Sequence, residues 1–112
     1  MWLAVGLTVT VWDESPTGRR TGAVTLSDIS TAITLRDLIR TRVREEVARY
    51  HLAGGEHRAS WSEEADQAIE SFARNGFFVL VDDRQITEVD EELTLTPETG
   101  IRFVRLTPLA GG

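Results

Sequence analysis

The sequence predicts an α+β domain: a mixed sheet of four to five strands with one main covering helix and an added second helix. Three observations carry that expectation. Leu3 to Val11 alternates apolar with small or hydroxyl side chains, the period of a half-buried strand. Leu35, Leu38, Ile39, Val43, Val47 and Tyr50 share one stripe of a helix. Phe77 to Val81 is a continuous apolar run of strand length, and Ile101 to Leu106 alternates again before Pro108 stops it.

Composition sets the class. With 112 residues, 41% of them hydrophobic and 27% charged, the chain is long enough for one modest core and is not disordered. The net charge of −6 argues against phosphate contacts, so no nucleic-acid partner is expected. The longest nearly apolar stretch, Trp2 to Leu7, is too short to span a bilayer and lacks a basic start. With no cysteine there is no disulfide framework, no thiolate metal site and no cysteine nucleophile. The expectation is a cytoplasmic protein with no membrane partner. All 12 basic residues are arginine, which leaves the N-terminus as the sole amine.

The elements follow in order. Asp13 to Gly22 is dense in turn formers and joins the first strand to a second, Ala23 to Leu26, as a long-looped hairpin. The main helix is capped by Thr34, with Asp37 in its first turn, and Gly54-Gly55 ends it. Its wet face is assigned Arg36, Arg40, Arg42, Arg44, Glu45, Glu46 and Arg49. A second helix begins at Ser60 or Ser62, where Ser60 with Glu63 fits a capping box. Trp61, Ala65, Ile69 and Phe72 lie near one face, and Asn75-Gly76 is a left-handed stop. After the buried strand Phe77 to Val81, Asp82 to Gln85 turns the chain. Ile86 to Glu92 reads as a short edge strand and a loop, and Leu93 and Leu95 point inward. The last strand returns to the middle of the sheet, parallel to the first.

Strand order, helix position and ending are similar to the ubiquitin-like β-grasp families. The section from Phe78 to Gln85, then Leu93, then Gly100 to Gly112 resembles the carboxyl-terminal third of the MoaD and ThiS sulfur carriers and of bacterial ubiquitin-like modifiers. The likeness divides the chain into a β-grasp domain over residues 1–106, with a helical insertion at 56–76, and an extended Gly-Gly tail over 107–112. Two departures stand out. The insertion has no counterpart in compact sulfur carriers, and Thr107-Pro108 replaces their two prolines.

The resemblance implies a mechanism. A ubiquitin-activating-type adenylyltransferase would transfer AMP from ATP onto the Gly112 carboxylate. The acyl group would then pass to target proteins, with a conjugating enzyme and a deconjugating protease as further partners. The alternative is a thiocarboxylate at Gly112 that carries sulfur for cofactor biosynthesis. In either case the chain binds no cofactor itself and is not an enzyme; ATP belongs to the partner. Pro108, Leu109, Ala110 and Gly111 would be the segment that the activating enzyme recognises. The residues suit that role. Glycine has no Cβ, so channel walls can close on the backbone at Gly111 and Gly112, and Pro108 cannot extend a ladder. At ordinary glycine usage about one chain in 200 ends in Gly-Gly by chance.

Alternation places Ile101, Phe103 and Arg105 on one face of the last strand and Val104 and Leu106 on the other. With the first set in the core, Val104 and Leu106 become an exposed partner-binding patch, unless the second helix covers that face. Other constellations carry less. His51 and His57 fit no common metal spacing, so no metal is expected. Asp82-Asp83 and Asp90 to Glu92 read as a solvated acidic edge.

Overall fold

A computed structural model describes residues 6–55 and 60–106 of the chain. Among these residues seven strands and two helices occur in the order β1 (Leu7–Glu14), β2 (Arg20–Ile29), β3 (Ala32–Thr34), α1 (Leu35–Leu52), α2 (Trp61–Ala73), β4 (Phe77–Val81), β5 (Arg84–Ile86), β6 (Glu92–Thr94) and β7 (Ile101–Arg105). Five of the strands form one mixed sheet in the order β2-β1-β7-β4-β5, and β3 and β6 make a separate ribbon. The fold is therefore α+β and β-grasp-like. β7 is central and runs parallel to β1, with Val11 opposite Ile101 and Asp13 opposite Phe103.

The core lies between the sheet and α1. Val9, Val11, Val24, Leu26, Val79, Ile101 and Phe103 meet Leu35, Leu38 and Ile39 there. Ile33, Leu93 and Leu95 close one end through the β3–β6 ribbon. Thr34 caps α1 by accepting the Asp37 amide at 3.1 Å, and Gly54 turns the chain at φ +89°. The Ser60/Glu63 capping box of α2 is present in both directions. That helix lies on the same side of the sheet as α1, with Phe72 against Phe77 at 5.7 Å between ring centroids.

Several sequence expectations are corrected. The first strand, expected over Leu3 to Val11, begins at Leu7 among the described residues and runs on to Glu14; residues 1–5 lie outside the described part. The turn-rich segment from Asp13 to Gly22 contributes to both strands, because ladder pairing extends to Glu14 opposite Arg20. β2 accordingly runs ten residues, not four. The turn after β4 is only Asp82-Asp83, both at positive φ (49° and 69°), the backbone twist that suits a two-residue hairpin. The edge strand begins at Arg84, while Glu92–Thr94 pairs with β3 instead of the main sheet. Two side chains of α1 are reassigned. Arg42, placed on the wet face, is 6% exposed because it turns down onto Asp13 of β1; Tyr50, placed on the apolar stripe, is 50% exposed.

Candidate functional site

The region that the sequence singles out is the exit of β7, and its surroundings can be built from the two faces of the sheet. On the helix side, Phe103 stacks on Phe77 at 5.3 Å with 16° between the rings. The Arg42 guanidinium lies 4.9 Å above the Phe103 ring centroid. It also donates two bonds to the Asp13 carboxylate, at 2.5 and 2.7 Å, and one to Glu46 at 3.2 Å. Burial alone would lower the Arg42 pKa. The hydrogen bond to Asp13 and the charge of Glu46 more than offset it, so the guanidinium holds its proton above its ordinary value. This fork fixes α1 to the end of β1 beside β7.

Between α1, α2 and this end of the sheet lies an open cleft of about 270 Å³, with Arg42, Gln67, Phe77, Phe103 and Arg105 in its walls. Arg105 is exposed and makes no ion pair with any described residue. The strand ends just beyond it, where the Leu106 amide donates to the Gly76 carbonyl at 3.0 Å. That bond ties the exit of β7 to the turn between α2 and β4.

On the opposite face, β-register sets Glu14, Val104 and Phe78 in one row and Trp12, Arg102 and Leu80 in the next. Glu14 is 6% exposed and accepts from Arg102 at 3.3 Å. Arg102 also donates to Asp83 at 2.5 Å, and Arg20 lies 3.9 Å over the Trp12 ring. Charged groups on this face are thus paired across strands, with apolar side chains between them.

The sequence-derived site residues separate into two groups. Ile101 and Phe103 do enter the core, as alternation requires. Val104, expected as half of an exposed patch, is 6% exposed, whereas Leu106 is 38% exposed. The correction has a geometric basis: Val104 sits in the centre of the sheet, flanked by Glu14 and Phe78 on the adjoining strands. The second helix does not cover it, since α2 packs on the other face. Pro108, Leu109, Ala110, Gly111 and Gly112 lie outside the described residues.

Sequence reasoning missed the Arg42–Asp13–Glu46 cluster. The spacing of Arg42 and Glu46 on one helix was the available signal, but nothing local indicates that Asp13 faces them. The acidic segments are used structurally. Asp82 accepts the Gly100 amide at 2.8 Å, Asp90 pairs with Arg36 and Glu91 with Arg84. No cluster that could hold a metal ion occurs among the described residues, and none of their helices is long and apolar enough to cross a membrane. The chain matches no protein-family model and no curated protein.

Proposed function

We propose that this protein is a ubiquitin-like modifier whose Gly111-Gly112 segment is an acyl donor. One observation carries the reading: residues 107–112 continue from β7, the central strand of a β-grasp-like sheet held parallel to β1. A strand fixed on both sides gives a short following segment a defined starting point, and Pro108 removes the amide that would prolong pairing. The Gly112 carboxylate would be the reacting group, whether encoded as the terminus or released by a protease.

The chemistry belongs to partners. An adenylyltransferase joins the carboxylate to AMP with loss of pyrophosphate. A target amine then attacks the acyl carbon, expels AMP and releases a proton, leaving an amide. Leu106 and Arg105, both exposed at the strand exit, are the described residues next to the donor segment in sequence and would meet the activating enzyme first. The test is incubation with the cognate activating enzyme, ATP and candidate targets. The expected product is an adduct stable to reductant, with the summed masses less one water. A thiocarboxylate in place of any adduct would overturn the modifier reading in favour of sulfur transfer.

A further inference from the structure

The two edges of the main sheet are treated differently. β5, on one side, is three residues long and begins with Arg84, features that discourage pairing with another chain. β2, on the other, runs ten residues and carries no charge and no proline from Thr21 to Ser27. Among the described residues no strand pairs with its outer edge. Thr21, Ala23, Thr25 and Ser27 are exposed, while Val24 and Leu26 are held in the core at 5% and 1% exposure. Irregularities in pairing with β1 flank the strand, one between Asp13 and Glu14 and one between Leu7 and Val9, where Asp28 adopts φ 58°. They leave a regular five-residue stretch, Gly22 to Leu26, centred on Val24.

The geometry points to a second copy of this chain as the occupant of that edge. We infer an antiparallel β2–β2 pairing about a two-fold axis at Val24. In that register Val24 faces its own copy, Ala23 faces Thr25, Gly22 faces Leu26 and Thr21 faces Ser27. No like charges meet. The first charged residues beyond the stretch, Arg20 and Asp28, have opposite sign and flank its two ends, so the two-fold brings the Arg20 end of each copy beside the Asp28 end of the other. Asp28 makes no ion pair with any described residue, while Arg20 lies over the Trp12 ring and 3.8 Å from Glu14, with its side chain still largely exposed. The symmetry is of the isologous kind that two-fold dimers require, and it joins two five-stranded sheets into one. Because the pairing stretch is short, its area falls at the low end of specific interfaces, and the dimer is reversible.

The test uses the whole protein. Sedimentation equilibrium over a range of concentrations should show monomer and dimer in exchange. Mixing labelled and unlabelled protein should give isotope-filtered contacts between Ala23 of one chain and Thr25 of the other. The double substitution Ala23→Lys with Thr25→Lys acts on exposed side chains, sets ammonium groups opposite one another and should weaken association more than tenfold. Arg20→Glu should weaken it several-fold, and adding Asp28→Arg should restore it. Circular dichroism confirms that each variant folds. A protein that stays monomeric at the highest concentration, or a dimer indifferent to the two lysines, would overturn the inference. An extended partner peptide bound at β2 without self-association would also overturn it.

Discussion

The two helices contrast in how their sequence pattern relates to their depth. α2 has the cleaner design: a reciprocal capping box, acidic residues in its first turn, and an apolar stripe of Trp61, Ala65, Ala68, Ile69 and Phe72. Yet Ala65 alone is fully buried there. α1 is less regular, with charged residues on most of its turns, and buries Leu35, Leu38, Ile39, Arg42 and Val43. Position decides the difference. α1 lies across the sheet and is sealed at one end by the β3–β6 ribbon, whereas α2 rests against α1 and the Phe77 end of β4. Periodicity identifies a buried face, but depth depends on what covers that face.

Substitutions can break or sharpen this contrast. Leu38→Ala, at a position with 0% exposure, should destabilise by about 2–5 kcal/mol and lower the denaturant midpoint accordingly. Ile69→Ala on α2 should have a distinctly smaller effect, since Ile69 is only partly buried; equal losses would erase the proposed asymmetry. Next in size is Arg42→Ala, which strands Asp13 beneath α1. With the Asp13 side chain still 20% exposed, the expected loss is about 2–3 kcal/mol, below that of a fully buried pair. Replacing Asp13 in the same background should add little, and a double-mutant cycle in urea measures that coupling. Ser60→Ala removes the α2 cap and should cost about 1 kcal/mol, seen as a lower Tm with no change in the protection of α1 amides. Smallest is Arg74→Ala, where an exposed pair with Glu70 should contribute under ~0.5 kcal/mol. A larger shift would mean that the end of α2 bears more of the fold than its exposure implies.

Much of the fold was legible because its main signals are local. The stripe from Leu35 to Val43, the Thr34 cap, the Ser60/Glu63 box and the apolar run Phe77 to Val81 each depend on residues close in sequence. Errors gathered where distant chain segments decide. The segment from Asp13 to Gly22 contains Ser, Pro, Thr and Gly and looks like loop, but ladder pairing draws both its ends into strands. Ala32–Thr34 is too short to announce itself and is a strand only because Glu92–Thr94 lies beside it. The same limit governed the site. Alternation correctly sent Ile101 and Phe103 inward, but it could not say that Val104, in a central strand, would be enclosed by its neighbours. Arg42 was misassigned for the converse reason: a charged residue on a helix is normally solvated, and its acceptor lies 29 residues earlier.

The parallel pairing of β1 with β7 also has a kinetic consequence. Glu14 and Arg102, which bond across these strands, are 88 residues apart in the chain. Such a contact closes a long loop, and topologies dominated by distant contacts fold slowly. Synthesis is vectorial, so β1 and β2 leave the ribosome as a hairpin well before their central neighbour exists. Val11 to Glu14 then await the strand that completes the sheet beside them. Insertion of β7 is therefore a late step, and a nascent chain interrupted before Ile101 cannot close its core. Residues 107–112 follow directly on the strand whose docking completes the main sheet.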